Sequence, residues 1–598
     1  MRRLWPAYCL LAALVTSGYA RYDPYHIDGD GVAYMDIGDL IRSHHWAAVV
    51  NGYWNPLYPS LLALGHDLFH ATRYTELSAY YIVNFGIFLL EMLAVVVFTD
   101  ALIQLRDIRE SVTQPSAASF LLDRYCLRYL GIALLIVSSQ RELSMGKIHP
   151  DALLQALLLF AVAALLKHLT TNHLRYAGLM GLALGLGYLT KSFAFVFTLL
   201  CIAALVAFQF FRQRHTPTRI ATAAFLAIVC FFVVAGPYIT ALSLQKGRFD
   251  FGDSGNLNYA WLVSGTKRMH LEPNAASRNG SAEVNLLHPE DQLLQSPPIF
   301  SYKRLPYGTY PDWFDPSYWN DHLKTHMNLH LQIAVIGDCA MRLLRYLTNN
   351  PEPWILFAVL LLLGTQLNPQ WRASENNFWL APALLGLSII GIYGLVHIED
   401  RYITIGIILI VLSLFAMLRL RLSSDKFATP AAASAAVLLL ALLPLGESLR
   451  QVAELRRTLV KAHSTTGWYD SDIFSAAHAL NELGVVPGDT IACIGTTACV
   501  YDQYWARLAG VRITTEIYEP TAPLYPSFIA MPNRDQAVEI VRQQGAKAIV
   551  GYFATDLTAA LIPFGWYQLG RTPFYVFPLN LPDTRPSFTS DMRPLKSN

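Results

Sequence analysis

The sequence is poor in charge. Asp, Glu, Lys and Arg together make up only 15% of the 598 residues, against about a quarter in a typical soluble protein. The net charge is +2, and no long run of acidic or basic residues is present. Because nucleic-acid binding depends on clustered positive charge, the composition gives no indication of a nucleic-acid partner. It also argues against an ordinary soluble enzyme.

Internal repeats and low-complexity tracts are also lacking, whereas apolar residues are abundant. Hydrophobic residues make up 54% of the chain, and its mean hydropathy is +0.33. A membrane-spanning helix needs about 20 mostly apolar residues. Eleven runs approach this length: 4–20, 79–99, 125–140, 151–166, 176–190, 192–211, 220–241, 352–368, 377–396, 401–420 and 429–446. The sequence therefore predicts a polytopic α-helical membrane protein with about eleven transmembrane helices.

After about residue 465 the long apolar runs end. Strands are predicted at DTIACIG, VRITTEIY and AKAIVGYF, helices at YDQYWARLAG and NRDQAVEIVRQQG, and two closing strands near WYQLG and PFYVFPL. Such alternation is typical of a small α/β domain with a mainly parallel sheet. We therefore divide the chain into a transmembrane domain, residues 1–464, and a soluble α/β domain, residues 465–598. The second domain lacks a glycine-rich phosphate fingerprint, and the sequence leaves its role open among acceptor recognition, lid and scaffold.

The distribution of Arg and Lys predicts the orientation. With Arg2 and Arg3 on the cytoplasmic side, every second loop carries basic residues, as the positive-inside rule requires. The outer side then holds the loops 21–78 and 242–350, the residues Lys191 and Arg401, and the domain 465–598. Segment 322–348 is apolar but carries several charges, so we predict a helix that lies in the membrane interface rather than a further span.

Cysteine is scarce, with 7 residues in the chain. Five of them lie in or near apolar runs, where Cys behaves as a small apolar residue. Cys493 and Cys499 lie in the predicted soluble domain. Their spacing permits a disulfide if that domain faces an oxidising compartment, and two reduced thiols are the alternative.

The stretch Asp28–Pro59, after the first apolar run, combines side chains that a solvated loop does not need. It contains four carboxylates, two adjacent His and three large aromatic residues: Asp28, Asp30, Asp36, Asp39, His44, His45, Trp46, Tyr53 and Trp54. A carboxylate can remove a proton from a hydroxyl, and aromatic rings can stack on a sugar. The alternative is a charged loop whose aromatic residues anchor at headgroup level.

Two motifs in this stretch carry a family resemblance. DGVAYMDI, from Asp30 to Ile37, and NPLYP, from Asn55 to Pro59, resemble the first extracytoplasmic loop of the GT-C glycosyltransferases. The similar groups are the protein O-mannosyltransferases and the bacterial aminoarabinose transferases of lipid A, which use polyprenyl-phosphate sugars. The resemblance therefore implies a GT-C-like membrane domain and a polyprenyl-phosphate sugar as donor.

The same resemblance implies a catalytic base. In the family an Asp-Glu-x-x-Tyr pattern opens the loop, and its first Asp is the proposed base, a place that Asp30 takes here. Gly31 stands where the family has the second acid. Any role of that acid is therefore open to Asp28 or Asp36.

The resemblance also bears on the first apolar run. The charged start, the short apolar core and a possible cleavage site near Ala20 are similar to a secretory signal. We prefer an uncleaved first helix, because the family has a helix that leads directly into the Asp30 loop.

Two outer motifs are candidates for binding the donor phosphate. GLALGLGYLTKSF, residues 181–193, resembles the family's Gly-Leu-x-x-Leu-Thr-Lys stretch, and its Lys191 either snorkels or pairs with an anion. Glu399-Asp400-Arg401-Tyr402 resembles the family's Glu-x-Arg-Tyr. The planar fork of Arg401 suits phosphate oxygens, and the adjacent acids are its alternative partners.

A third basic candidate is Lys147, which shares a short outer loop with Arg141. The loop ends at His149-Pro150-Asp151, and a Pro-Asp recurs at this place in the family. Pro150 and Asp151 are expected mainly to begin the next helix, where a carboxylate is favoured by the helix dipole.

Aromatic and acidic residues are also dense between Tyr307 and Trp319 in the second outer loop. Aromatic rings there either stack on sugars or lie in the membrane interface. We predict substrate contacts from Tyr34, Trp54, Tyr310, Trp313 and Asp315.

Asp28-Gly-Asp30 also reads as an Asp-x-Asp motif, in which two carboxylates share a divalent cation. The oligosaccharyltransferase branch of the superfamily uses a metal, whereas the branch that the motifs resemble is not thought to need one. We therefore expect no required metal cofactor and keep a divalent metal as the alternative.

Together these features predict an integral membrane glycosyltransferase. It would transfer a sugar from a polyprenyl-phosphate donor to a lipid, glycan or protein acceptor at the outer face, by a single inverting displacement. The expected location is a bacterial inner membrane with the N-terminus inside. The alternatives are a transporter or flippase of lipid-linked glycans, which would need a charged path through the bilayer, and a non-catalytic relative that binds glycolipids.

Overall fold

The computed structural model describes residues 1–22, 27–112, 119–140, 143–211, 215–266, 286–362, 365–366, 380–421, 428–461, 471–518, 533–553 and 561–581. Its helices are α1 (Trp5–Tyr22), α2 (Gly29–Arg42), α3 (Trp46–Val49), α4 (Leu57–Leu68), α5 (Glu76–Val112), α6 (Arg124–Ser139), α7 (Asp151–Thr171), α8 (Leu174–Thr190), α9 (Phe193–Phe211), α10 (Pro217–Lys246), α11 (Ser254–Leu262), α12 (Pro311–Phe314), α13 (Pro316–Trp319), α14 (Leu329–Asn349), α15 (Glu352–Leu362), α16 (Leu380–Gly394), α17 (Asp400–Met417), α18 (Ala428–Lys461), α19 (Ser471–Glu482), α20 (Tyr504–Ala509) and α21 (Arg534–Gln543). Its strands are β1 (Ser119–Leu121), β2 (Asp291–Gln295), β3 (Pro298–Ser301), β4 (Thr365–Gln366), β5 (Arg419–Arg421), β6 (Thr490–Ile494), β7 (Arg512–Ile517), β8 (Ala548–Tyr552), β9 (Tyr567–Gln568) and β10 (Phe574–Pro578).

Each of the eleven predicted apolar runs overlaps a helix, namely α1, α5 to α10 or α15 to α18. Within the part of the chain that the structure describes, six helices are long and apolar enough to cross a membrane: Glu76–Asp107, Asp151–Thr171, Phe193–Phe211, Pro217–Lys246, Asp400–Met417 and Ala431–Arg457. Ala381–Gly394 is a shorter apolar helix. The predicted polytopic helical membrane domain is confirmed.

Helix α7 lies at the centre of the bundle. In its most apolar window 83% of the residues are buried, because α5, α8 and α9 pack around it. Helices α8 and α10 approach closely at Gly181, where an added Cβ would lie 2.1 Å from the Ala227 carbonyl oxygen. Small residues permit such crossings in membranes. This packing brings Asp151, at the start of α7, beside Lys191, which follows α8.

Helix α14 carries the segment predicted to lie in the interface. One face is buried through Gln332, Cys339 and Tyr346. A second face exposes the apolar side chains of Leu329, Ile333, Ile336, Met341 and Leu344. A third face exposes the charged side chains of Asp338, Arg342 and Arg345. α14 is not among the helices whose hydropathy qualifies them as spans. The three faces are those of a helix that lies along a membrane surface.

The C-terminal domain is built on a sheet of seven strands in the order β2-β3-β7-β6-β8-β10-β9. At its centre β6 pairs in parallel with β7 and β8. Parallel pairs need crossover connections, and the segments containing α20 and α21 supply them. The outer pairs are antiparallel, so the sheet is mixed rather than mainly parallel.

Two strands of this sheet come from outside residues 465–598. β2 and β3 belong to the outer segment 242–350, and Ile299 of β3 pairs with Ile517 of β7. The outer segment therefore completes one edge of the C-terminal sheet. A second sheet, β1-β5-β4, joins three loops that the positive-inside rule assigns to the inner side.

Cys493 and Cys499 are joined by a disulfide, with their Cα atoms 5.6 Å apart. The bond links the end of β6 to the helical turn Thr497–Tyr501. Of the two alternatives that the spacing left open, the structure has the disulfide.

A buried arginine attaches the C-terminal domain to the outer loop of the membrane domain. The side chain of Arg507, on α20, is only 1% exposed. Its guanidinium lies 2.7 Å from Asp36, 2.9 Å from Asp39 and 2.8 Å from Glu76. Asp36 and Asp39 belong to α2, and Glu76 begins α5. One cation therefore holds together three carboxylates from two elements of the membrane domain.

We predict that Arg507→Met strongly destabilises the protein. Without the guanidinium, three carboxylates lose their shared cation, and breaking a buried ion pair from one side typically costs about 3–5 kcal/mol of unfolding free energy. Denaturant unfolding of the detergent-solubilised protein, followed by circular dichroism, measures the change.

The matched control is Arg542→Met on α21, which removes an exposed pair with Glu539. Such a surface pair contributes at most about 1 kcal/mol, so this variant should unfold close to the wild type. Equal effects of the two substitutions would contradict the role given to Arg507.

Candidate functional site

A cavity of about 710 Å³ lies at one end of the bundle. It is enclosed by α2, the start of α7, the junction of α8 and α9, the residues after α10, and the junction of α16 and α17. Its ionisable lining residues, apart from tyrosines, are Asp30, His149, Asp151, Lys191, Arg248, Asp250, Asp253, His322, His397 and Arg401. Motifs that are remote in the sequence and were predicted to lie on the outer side therefore meet in one chamber.

The position of α2 depends on two glycines. A Cβ on Gly29 would lie 2.5 Å from the Gln503 side chain and 2.8 Å from the Trp313 ring. A Cβ on Gly31 would lie 3.2 Å from that of Ile148. A side chain at Gly29 would therefore require a shift of its neighbours, and one at Gly31 would be tightly packed against Ile148.

Asp30 lies in the first turn of α2 with its carboxylate at the cavity wall. The Trp313 indole N–H donates to its Oδ1 at 3.0 Å, and Arg401 Nη2 lies 3.3 Å from its Oδ2. Burial and the neighbouring Asp28 charge raise the pKa of Asp30, while Arg401 and His149 oppose the rise. Asp30 therefore accepts a proton more readily than an ordinary aspartate does.

Asp28 has a different environment. It caps α2 by accepting the Gly31 N–H at 2.9 Å, and its Oδ2 lies 3.3 Å from His149 Nε2. Burial opposes its ionisation, but the charge of His149 and its hydrogen bond lower the pKa of Asp28 below the ordinary value. Two adjacent carboxylates with pKa values pushed apart take different roles, and Asp30 is the more basic of the two.

Arg401, in the first turn of α17, connects several of these groups. Its Nε donates to Glu399 at 2.6 Å, and its Nη2 donates to Asp30 and, at 3.2 Å, to the Tyr402 hydroxyl. Its Nη1 contacts His149 Nδ1. The predicted alternative, pairing with adjacent acids, is realised for Glu399, and the same guanidinium reaches across to Asp30.

Lys191 lies beside this group. Its Nζ donates to Asp151 at 2.7 Å and lies 4.1 Å from the centroid of the Tyr402 ring. Asp151 is the first residue of α7, as expected, and its second oxygen lies 3.9 Å from Arg401. Lys191 is 22% exposed and Arg401 10%, so Lys191 is the more accessible cation of the pair.

Asp28, Asp30 and His149 are close enough together to hold a metal ion, because each offers a ligand atom within 4.8 Å of the others. The carboxylate oxygens already face donors or cations: Gly31 and His149 for Asp28, and Trp313 and Arg401 for Asp30. Arg401 supplies at Asp30 the positive charge that a metal would bring. The group therefore fits a hydrogen-bonded ion-pair cluster and does not fit a divalent-metal centre.

Of the predicted substrate contacts, Tyr34 and Trp54 line the cavity. Trp54 is also a packing residue, because its indole N–H donates to the Trp313 carbonyl at 3.1 Å. Tyr402 lines the cavity and stacks on Tyr393 at 4.9 Å between ring centroids.

Other predicted site residues lie outside the cavity lining. Asp36 binds Arg507 and Thr309, and Asp315 caps α13. Tyr310 is buried beneath the C-terminal sheet. Lys147 lies by a smaller pocket near Glu91, and Arg141 falls outside the described residues. These four described side chains do not join the group around Asp30.

Several cavity residues are not among the predicted site residues, including Tyr53, Arg248, His322 and His397. Tyr53 adjoins Trp54, and its hydroxyl accepts the Asn258 amide at 3.1 Å. His397 lies 3.1 Å from Glu399. Proximity to a recognised motif was the available signal for these two, and nothing in the sequence pointed to the others.

Arg248 belongs to a second charged cluster at the other side of the cavity, just after α10. It lies 3.0 Å from Asp250, 3.2 Å from Asp253 and 2.9 Å from Asp321. Lys246 contacts Asp253 as well. Three carboxylates thus surround two cations, and this side of the cavity is not positively charged.

Comparisons with known proteins locate this fold. Residues 121–237 match the family model of dolichyl-phosphate-mannose-protein mannosyltransferases. No curated protein matches the sequence. Among solved structures, the chain is similar to ArnT from Cupriavidus metallidurans bound to undecaprenyl phosphate, at 12% identity and a TM-score of 0.52, over 95% of this chain and 96% of that one.

More distant matches are ArnT in the apo state and an Archaeoglobus fulgidus oligosaccharyltransferase tethered with an acceptor peptide. The first has 11% identity and a TM-score of 0.48 over 96% of this chain and 97% of that one. The second has 12% identity and a TM-score of 0.43 over 94% and 70%. The resemblance to GT-C glycosyltransferases predicted from the sequence is confirmed, and the likeness to undecaprenyl-phosphate-bound ArnT extends over nearly the whole chain.

The geometry predicts that Asp28, Asp30 and His149 hold no divalent metal tightly. Titration of the purified protein with Mn²⁺, with free Mn²⁺ measured by electron paramagnetic resonance, should show no stoichiometric site that depends on them. A site that Asp28→Asn abolishes and Asp67→Asn retains would contradict this, since Asp67 is an exposed carboxylate paired with Arg42.

Proposed function

We propose that this integral membrane protein is a glycosyltransferase that takes a sugar from a polyprenyl-phosphate donor and passes it to an acceptor hydroxyl. The observation that carries the proposal is the meeting of Asp30, Arg401 and Lys191 in one cavity on a GT-C fold. A proton acceptor and two cations are the groups that transfer from a lipid phosphate requires.

Asp30 is the proposed general base. As the acceptor oxygen attacks the anomeric carbon, its proton passes to the Asp30 carboxylate, and the bond from that carbon to the phosphate oxygen breaks. The electron pair leaves with the phosphate. The Trp313 and Arg401 contacts orient the carboxylate, and the raised pKa of Asp30 strengthens it as a base.

Lys191 is the proposed first contact of the donor phosphate. Its ammonium has three donors, of which one binds Asp151, and its exposed fraction is twice that of Arg401. Arg401 is held by Glu399 and Asp30 and is better placed to neutralise the charge that develops on the leaving phosphate. Tyr402 is proposed to hold both cations, because its ring lies against Lys191 and its hydroxyl accepts from Arg401.

The aromatic wall of the cavity is the proposed sugar-binding surface. Tyr53 and Trp54 line the chamber, and their ring centroids lie 5.7 and 5.9 Å from that of Trp313. Rings arranged in this way present apolar faces on which a pyranose can stack. Since one displacement needs no covalent nucleophile on the enzyme, inversion at the anomeric carbon is the proposed outcome.

A transporter or flippase would draw support from charges along a path through the bilayer. Among the described residues, Glu91 is a carboxylate buried deep in a span, and its partner is Gln155 at 2.9 Å. Glu91 does not line the cavity. The polar groups gathered at one end of the bundle favour an enzyme at the membrane surface.

We place the cavity and the C-terminal domain outside the cytoplasm, in a bacterial inner membrane with the N-terminus inside. The positive-inside pattern supports this orientation. The Cys493–Cys499 disulfide supports it too, because such bonds persist in oxidising compartments.

Asp30→Asn should lower the rate of transfer at least about 100-fold, because the amide cannot accept the acceptor's proton. The assay offers a panel of radiolabelled polyprenyl-phosphate sugars to membranes that contain candidate lipid, glycan and protein acceptors. Asp67→Asn, in the same outer loop but exposed, should transfer at the wild-type rate.

Transfer undiminished in Asp30→Asn would overturn the choice of base and move it to Asp28. Binding of donor without transfer to any offered acceptor, by wild type and variant alike, would favour the non-catalytic glycolipid-binding alternative.

The orientation predicts how two engineered cysteines react with a maleimide that cannot cross membranes. Gln543→Cys on α21 and His173→Cys between α7 and α8 both replace surface residues. In spheroplasts, Gln543→Cys should be labelled at once and His173→Cys only after the membrane is permeabilised. Labelling of His173→Cys in intact spheroplasts, with Gln543→Cys labelled only after permeabilisation, would show that the proposed orientation is wrong.

A further inference from the structure

Tyr310 does not line the cavity, although it belongs to the aromatic segment beside it. It is buried, and its hydroxyl donates to Glu516 Oε2 at 2.6 Å. Glu516 lies on β7, at the centre of the pairing between the C-terminal sheet and the outer segment. Tyr310 is therefore fixed to the sheet and cannot contact a sugar in the chamber.

The residue before it is fixed to α2. Thr309 donates its backbone N–H and its hydroxyl to Asp36, at 2.6 and 2.9 Å. Asp36 in turn is held by Arg507. Thr309 thus binds α2, the helix that carries Asp30, and the next residue, Tyr310, binds the C-terminal sheet.

This double attachment determines where Trp313 lies. Helix α12 begins directly after Tyr310, and the backbone N–H of Trp313 donates to the Tyr310 carbonyl at 3.1 Å. The indole then reaches Asp30 Oδ1 and packs so closely against Gly29 that a Cβ there would lie 2.8 Å from the ring. The ring also contacts Tyr53, Trp54 and Trp261, while the turn anchored by Tyr310 holds the backbone from which the ring extends.

We propose that Tyr310 and Glu516 are positioning residues for the base, through which the C-terminal sheet holds the Trp313 indole on Asp30. The inference rests on the proposed function for its catalytic consequence. It gives the C-terminal domain a definite task, the alignment of the base, and it reassigns Tyr310 from substrate contact to support.

Tyr302 provides a matched control. It is equally buried, and its hydroxyl donates to the same Glu516 oxygen at 3.2 Å. Tyr302 follows β3 and is not part of the turn that leads into Trp313. Tyr302→Phe and Tyr310→Phe both remove a hydroxyl from the same acceptor. Tyr302 also hydrogen-bonds to Tyr310, but Tyr302→Phe leaves the Tyr310–Glu516 bond in place, whereas Tyr310→Phe removes it.

Tyr310→Phe should lower kcat about threefold to tenfold, the range expected for one displaced hydrogen bond at the base, and leave KM for the donor unchanged. Tyr302→Phe should change neither. Trp313→Phe should lower kcat about tenfold or more. In a Trp313→Phe background, Tyr310→Phe should cause no further loss, because residues that act through one another are not additive. Additive losses would overturn the proposal.

A second measurement does not depend on transfer. Protein labelled with ¹⁵N-tryptophan has one indole resonance for each of its 12 tryptophans, and Trp313→Phe identifies that of Trp313. Tyr310→Phe and Asp30→Asn should both shift this resonance, and Tyr302→Phe should not. A resonance unmoved by Tyr310→Phe would overturn the positioning role. A shift without any transfer by the wild type would keep that role and overturn the proposed function.

Discussion

The site depends on the guanidinium of Arg401. This group lies at the start of α17, yet it contacts Glu399 beside it, His149 before α7 and Asp30 on α2. Burying a guanidinium is costly unless carboxylates and hydrogen bonds compensate, so the three elements that supply its partners are drawn together. Beside Arg401, Lys191 forms a second ion pair of this kind with Asp151. The cavity is thus lined by cations that are already paired, and an incoming phosphate would share them with carboxylates.

Helix α2 is held at both ends by arginines that follow it by hundreds of residues. Arg401 binds Asp30 near its beginning, and Arg507 binds Asp36 and Asp39 towards its end. One arginine belongs to the membrane bundle and the other to the C-terminal domain. These contacts at both ends fix the rotation of α2 about its axis as well as its position. The Asp30 carboxylate therefore has a fixed orientation towards the cavity.

Much of the fold was predictable because hydropathy is local. An apolar run such as 151–166 or 220–241 predicts a helix whatever packs against it. The strands around Ile491 and Ile549 were predicted from short apolar stretches bounded by turn residues. The positive-inside rule also predicted Asp30, Lys191 and Arg401 on one side of the membrane, and the structure places all three in the lining of one cavity. What could not be predicted depends on contacts between distant segments. Tyr310 contacts β7 rather than the cavity, through its hydrogen bond to Glu516, and the tight packing of Gly31 against Ile148 is visible only in the structure.

The edge of the C-terminal sheet has a consequence for biogenesis. Strands β2 and β3 are synthesised before α15 to α18, whereas β7, the partner of β3, comes after them. An emerging chain therefore carries an incomplete sheet edge while α15 to α18 are still to be synthesised. Pairing over so long a separation is slow, and an open edge invites pairing with other chains. Until β7 is synthesised, β2 pairs with one edge of β3 and the other edge stays open. The pairing of β3 with β7 is therefore the step at which misassembly is easiest.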